Sequence, residues 1–168
     1  WFGANSQPQP VSTVAVETPV IEFVNPDACR ILIVDDDDVV RKATEIKLRA
    51  QGYVVSTAAD GPSAIHTARL ERPDLILLDL NFPPDVSLSW DGFGIMSWLR
   101  RLEEFKRTPI IICTGSEGSD LARRAQADGA AGFFHKPLDY AALLGMIHLR
   151  LKASRRTQAT SASDSFEI

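Results

Sequence analysis

The stretch Pro73-Asp74-Leu75-Ile76-Leu77-Leu78-Asp79-Leu80-Asn81-Phe82-Pro83 constrains the fold more than any other part of the chain. An apolar run leads straight into one carboxylate, and prolines stand on both sides. A short continuous apolar run bounded by breakers reads as a strand buried on both faces. In open parallel sheets, ligands bind just beyond the carboxyl ends of the strands. Asp79 therefore stands where such a fold does its chemistry. A strand-end aspartate alone is weak evidence, so the other strand ends decide the matter.

Along the chain, strand and helix patterns alternate. Arg30-Ile31-Leu32-Ile33-Val34 is a buried strand that ends in Asp35-Asp36-Asp37-Asp38. Residues 39–51 read as a helix with a broad apolar face of Val39, Val40, Ala43, Ile46, Leu48 and Ala50. One of the aspartates can cap it, since negative charge is favourable at a helix start, and Gly52 closes it. A second strand covers 53–58. A helix over 61–71 turns Ala64, Ile65, Ala68 and Leu70 inward. After Asp79 comes a long turn, 80–91, and then a helix over 92–106 with Ile95, Met96, Leu99 and Leu102 inward. A fourth strand, 109–113, ends at Thr114-Gly115, and a fourth helix, 119–128, is closed by Gly129. A short fifth strand, 132–135, ends at Lys136-Pro137. The last helix, 140–152, buries Leu143, Leu144, Ile147 and Leu151. This alternation predicts an α/β fold, a doubly wound five-stranded parallel sheet with five helices on its two faces.

The globular domain is expected over 28–152. Residues 1–27 carry Pro8, Pro10, Pro19 and Pro26 among polar residues and read as a linker, with 20–24 a candidate short strand. Residues 153–168, rich in Ser, Thr and Ala, are expected to be disordered. The formal charge of −4 gives no electrostatic reason to expect nucleic-acid binding. No apolar stretch approaches the roughly 20 residues that a membrane helix needs, and the start of the chain lacks a signal-peptide pattern. A cytoplasmic location is the expectation. Cys29 and Cys113 make no disulfide framework, and Cys113 reads as a buried reduced thiol.

Four strand ends now carry functional groups: the aspartate cluster, Asp79, Thr114 and Lys136. A parallel sheet brings them to one rim. Clustered carboxylates repel one another unless a cation joins them. A few carboxylates among oxygen ligands suit Mg2+, which keeps waters and accepts phosphate oxygens. A carboxylate can attack phosphorus, while a lysine and a hydroxyl neutralise and hydrogen-bond the transferred group. The set predicts metal-assisted phosphorylation of a carboxylate.

The chain resembles the receiver domain of two-component response regulators. The resemblance rests on Ile31-Leu32-Ile33-Val34-Asp35-Asp36-Asp37, Asp74 to Asp79 with Pro83, Thr114-Gly115 and Lys136-Pro137, and it covers nearly all of the globular part. It implies a flavodoxin-like sheet and a signalling switch that takes a phosphoryl group from a histidine kinase or phosphotransfer protein. Asp79 would be the phosphoacceptor. Asp35 and Asp36 would form the acidic pocket, with Asp36 the more direct Mg2+ ligand, and the backbone carbonyl of Asn81 would complete the protein's metal ligands. Thr114 and Lys136 would contact the phosphoryl oxygens, and the Lys136-Pro137 bond would be cis. Thr114 and Phe133 would be the switch residues. A second receiver or an output domain would bind through the fourth helix, fifth strand and fifth helix. The domain would catalyse only its own phosphorylation and dephosphorylation.

One stretch departs from the family pattern. Residues 84–90, which include Leu88 and Trp90, lengthen the turn beside Asp79. They are either tolerated length or a lid. Other residues have plain readings: Asp37 and Asp38 as cap and solvated charge, His66 and His148 as surface residues, His135 as an ordinary strand residue. Arg150, Lys152, Arg155 and Arg156 read as a solvated helix end. Two competing functions remain in view. Asp35-x-Asp37-x-Val39 also resembles the first motif of haloacid-dehalogenase-type phosphatases, with Asp35 as nucleophile. That reading lacks a later acidic pair and leaves Asp79 without a role. The other competitor is a pseudo-receiver that binds partners without taking phosphate.

Overall fold

The computed structural model describes residues 28–82, 91–118 and 120–163. The elements are β1 (Arg30–Val34), α1 (Asp38–Ala50), β2 (Val54–Ala58), α2 (Gly61–Glu71), β3 (Leu75–Leu78) and α3 (Gly92–Arg101). A 3₁₀ turn (Glu103–Phe105), β4 (Ile110–Thr114), α4 (Leu121–Ala127), β5 (Gly132–His135) and α5 (Tyr140–Ser163) follow. All neighbouring strands are parallel, in the order β2-β1-β3-β4-β5. The doubly wound α/β architecture expected from the alternation is present.

Strand residues alternate between two separate cores. Leu32, Val34, Ile76, Leu78, Ile110 and Ile112 pack on one side with residues of α2, α3 and α4. Ile31, Ile33, Leu75, Leu77, Ile111 and Cys113 pack on the other with Leu48 of α1 and Leu143, Ile147 and Leu151 of α5. Both faces of the central strands are covered, so their sequences are apolar at every position instead of every second one.

The helices differ from their sequence patterns in informative ways. The expected broad apolar face of α1 is a narrow stripe of Val40, Thr44 and Leu48, while Ala50 is exposed and Val39 and Ile46 are 77% and 58% exposed. Thr44 is buried because its hydroxyl meets the Tyr140 hydroxyl of α5 at 3.1 Å. A polar residue with a buried partner is invisible to an apolar count. Leu70, expected inward on α2, is exposed. The helix expected over 92–106 stops at Arg101, because Leu102 is extended, and the 3₁₀ turn then seats Phe105 in the core. The fourth helix is shorter than the expected 119–128. The last helix does not end at Lys152 but continues to Ser163. Ala, Arg and Gln in that stretch are good helix formers. The expectations for 1–27, for 84–90 with Trp90, for Pro83 and for 164–168 fall outside the described residues.

Turns and caps fix where the strand ends meet. Asp37 is the N-cap of α1 and accepts from the backbone N–H groups of Val39 and Val40 at 2.9 and 3.1 Å. Asp91 caps α3 by accepting from Gly94 at 2.7 Å. Gly52 has φ +86, in the left-handed region where a helix commonly terminates.

Candidate functional site

The strand register brings the polar strand ends together. Val34 pairs with Leu78, so Asp35 and Asp79 are the next residues on adjacent strands. The strand bonding continues into them: Asp79 N–H donates to the Val34 carbonyl at 2.9 Å and Asp35 N–H to the Ala58 carbonyl at 3.1 Å. On the other flank Lys136 N–H donates to the Thr114 carbonyl at 2.8 Å, and the Lys136-Pro137 peptide is cis.

The two buried carboxylates are held in the same way. Asp35 Oδ1 accepts from Asp37 N–H at 3.0 Å, and Asp79 Oδ1 accepts from Asn81 N–H at 3.0 Å. Their Oδ2 atoms both face the Lys136 ammonium, at 2.7 Å from Asp35 and 2.5 Å from Asp79. Asp36 is exposed at the mouth, and carboxylate oxygens of Asp35, Asp36 and Asp79 lie within 4.8 Å of one another. Thr114 is fully buried, and its Oγ1 accepts from Ser116 N–H at 3.1 Å. The Ser116 hydroxyl in turn bonds the side-chain oxygen of Asn81.

Burial pushes the Asp35 carboxyl above its usual range, against the opposing pull of Lys136 and of the Asp37 N–H. Burial also works against the Lys136 ammonium, but the hydrogen bonds and charges of Asp35 and Asp79 outweigh it and raise its pKa. Lys136 is therefore held as a cation between two carboxylates. Three carboxylates for one ammonium leave the pocket short of positive charge. The donor set is all oxygen, so it fits a hard divalent cation such as Mg2+. Behind the pocket, burial drives the Cys113 thiol up to about 12, which makes it an inert core group.

The residues singled out in the sequence separate cleanly. Asp35, Asp36, Asp79, Asn81, Thr114 and Lys136 come to one rim, with Thr114 buried behind it. Asp37 is the helix cap, and Asp38 pairs with Arg41 on the surface. His66, His135 and His148 are all exposed. Phe133 is half-buried against the core, edge-on to the His135 ring with centroids 5.1 Å apart.

Two residues escaped the sequence reading. Arg41 donates from Nη1 to the Asp35 carbonyl at 2.7 Å, tying α1 to the acidic loop. Gly92 lies against the strand end so closely that a Cβ there would be 2.1 Å from the Asp79 carbonyl oxygen and 2.7 Å from Leu80 Cα. Only the Asp-Gly pair after the long turn signals Gly92. Arg41 looks like any cation in a helix.

An acidic pocket with a lysine across it, at the carboxyl ends of a parallel sheet ordered 2-1-3-4-5, defines a flavodoxin-like α/β domain with its polar groups where such sheets bind ligands. Residues 31–148 match the family model for the response regulator receiver domain, and the chain belongs to that family. It is 36% identical over 112 residues to the response regulator PleD of Caulobacter vibrioides, covering 67% of this chain and 24% of PleD. It is 33% identical over 127 residues to the transcriptional regulatory protein CseB of Streptomyces coelicolor, covering 75% of this chain and 50% of CseB. The chain thus spans half or less of the length of these relatives. Among solved structures, the chemotaxis protein CheY4 of Vibrio cholerae superposes with a TM-score of 0.65 at 32% identity, covering 72% of this chain and 97% of CheY4. No helix among the described residues is long and apolar enough to cross a membrane.

Proposed function

We propose that this receiver domain is a phosphorylation-dependent switch in which Asp79 accepts a phosphoryl group from a histidine kinase or phosphotransfer protein. The observation that carries the reading is the placement of Asp79, buried, with one carboxylate oxygen fixed by Asn81 N–H and the other beside Lys136. An aspartate so held is pre-oriented for in-line attack, which is the main contribution a protein makes to phosphoryl transfer. The Asp79 oxygen would form a bond to phosphorus as the donor's nitrogen–phosphorus bond breaks and its imidazole leaves.

Each neighbour has a task that follows from its chemistry. Lys136 follows the transferred charge: it neutralises Asp79 before transfer and a phosphoryl oxygen afterwards. The Thr114 hydroxyl would donate to another phosphoryl oxygen. Asp35, Asp36 and the Asn81 carbonyl would hold Mg2+, which offsets the charge of the carboxylates and of the incoming phosphoryl group. A cleft of about 630 Å3, bordered by Asp36, Asn81, Phe93, Ser116 and Arg124, opens beside the cluster and gives a donor access. We assign the domain to 28–152 and its action to the cytoplasm, where such donors are phosphorylated.

The test is incubation with acetyl phosphate and Mg2+, followed by intact mass measurement. One base-labile phosphate is expected on the chain. Asp79→Asn should abolish it and Asp35→Asn should only weaken it. The reverse pattern would establish the phosphatase-type reading with Asp35 as nucleophile. A chain that takes no phosphate from acetyl phosphate or from a phosphorylated phosphotransfer protein is a pseudo-receiver.

A further inference from the structure

The end of the sheet opposite Asp79 carries an unexplained concentration of positive charge. A cleft of about 660 Å3 lies at the amino ends of β4 and β5, and its cationic lining is Arg100, Lys106, Arg107 and Arg150. The only carboxylate in the lining, Asp128, is paired with Arg124 at 3.6 Å. In a chain of net charge −4, this local excess runs against the average.

Two of the four cations are already committed. Arg100 donates to the carbonyls of Phe105 and Thr108 at 2.8 Å and of Gly129 at 3.1 Å, so it ties the α3–β4 and α4–β5 connections together. Lys106 is bound to Glu103. Arg107 and Arg150 are different. Among the described residues neither has a carboxylate within ion-pair distance. Arg150 Nε is buried with no hydrogen-bond partner, the only such side-chain atom among the described residues. A buried cationic donor left unsatisfied is costly, more so than a neutral one, and native proteins rarely tolerate it without an ion or water. Guanidinium groups recognise oxyanions in forked, two-bond geometry.

We propose that this cleft is a second anion site, in which Arg107 and Arg150 together hold a small phosphate-bearing oxyanion. Thr108 and Ser154, which also line the cleft, can add hydroxyl donors. The site shares no residue with the acidic pocket. The length of β4 separates them, about 13 Å at 3.3 Å per residue.

The experiment is a titration of the isotope-labelled chain with pyrophosphate, without Mg2+, followed by amide chemical shifts. Sodium chloride at matched ionic strength is the control. Saturable shifts are expected at 106–108, 129–131 and 150–154, with none at 35–37, and they should persist in Asp79→Asn. Arg150→Gln and Arg107→Gln should each weaken binding roughly tenfold or more, and Arg150→Lys nearly as much, because lysine lacks the fork. Arg107 is exposed, so its variant keeps the test valid if Arg150→Gln perturbs folding. Shifts that match those from sodium chloride, or saturable shifts that survive both glutamine variants, would overturn the proposal. The first result would mean that water alone serves Arg150, and the second that pyrophosphate binds elsewhere.

Discussion

Four consecutive aspartates follow β1, and each meets a different environment. Asp35 is buried beside Lys136, Asp36 is exposed at the mouth of the cluster, Asp37 caps α1, and Asp38 pairs with Arg41. Removing any one deletes the same unit of charge, so differences among the variants report position. Asp36→Ala should weaken Mg2+ binding roughly tenfold or more, because on the proposed reading it would remove a direct oxygen ligand. Asp38→Ala should change Mg2+ binding little, since its exposed pair with Arg41 is screened by solvent. Asp37→Ala should leave Mg2+ affinity near its starting value and cost about 1 kcal/mol of stability through the lost cap. Calorimetric titration and thermal melts separate the three. Equal losses of affinity at positions 36 and 38 would remove Asp36 from the metal site. The sequence alone distinguishes Asp79, Thr114 and Lys136 well, because each stands singly at the end of an apolar run. Within the aspartate run it gives only the order of residues. Which of them turns inward is decided by the backbone path into α1, held by Arg41 on the Asp35 carbonyl.

At the scale of elements, the strands were legible because a strand covered on both faces has no polar position to confuse the pattern. Helix faces were less legible. Leu70 and Ile46 are apolar yet exposed, whereas Thr44 is polar yet buried against Tyr140. Element ends were hardest where tertiary contact sets them, as with Phe105, whose burial follows the break after α3. The packing of α3 against the end of β3 has one narrow requirement. Gly92 N–H donates to the Leu80 carbonyl at 3.1 Å, and no Cβ fits between helix start and strand end. Gly92→Ala must push α3 away or move the Asp79 backbone. The expected cost is about 1–3 kcal/mol, as in other overpacked sites, seen as a fall of several degrees in Tm. Phosphorylation should slow more than the loss of stability alone would suggest, because the displaced atoms belong to Asp79, the proposed acceptor. Gly94→Ala is the milder comparison, since its Cβ would meet only a side-chain atom, Asp91 Oδ1 at 3.2 Å, which has to give by a few tenths of an ångström, whereas at Gly92 the obstacle is backbone. Equal effects of the two substitutions on phosphorylation would show that helix propensity, not close approach, governs α3.

Across the whole molecule, the acidic rim and the α4–β5–α5 side are joined by β4 and β5. Thr114 pairs with His135 and Ile112 with Phe133, so the residue that would greet the phosphate and the half-buried aromatic share one strand pair. Gly115, next to Thr114, is exposed, and a Cβ there would meet no heavy atom within 4 Å outside its chain neighbours among the described residues. A phosphate on Asp79 adds charge and acceptor oxygens at the rim. If Thr114 swings to donate to it, the room it leaves beside β5 can take the Phe133 ring. Phe133 is already only partly packed, against the core that includes Ile112 and Ala125. The phosphate then biases a two-state element through contacts that differ between the states, which is what coupling requires. The surface that would change is α4, β5 and α5, and a second receiver or an output domain would read it. Hydrogen exchange with and without a beryllofluoride phosphate mimic tests the whole chain of contacts. Altered protection is expected through 120–152 as well as around Asp79. Phe133→Ala should keep the change at the rim and lose it in α4 and α5. Protection changes confined to the rim in the unmodified chain would mean that Phe133 is a fixed packing residue and that the signal leaves by another face.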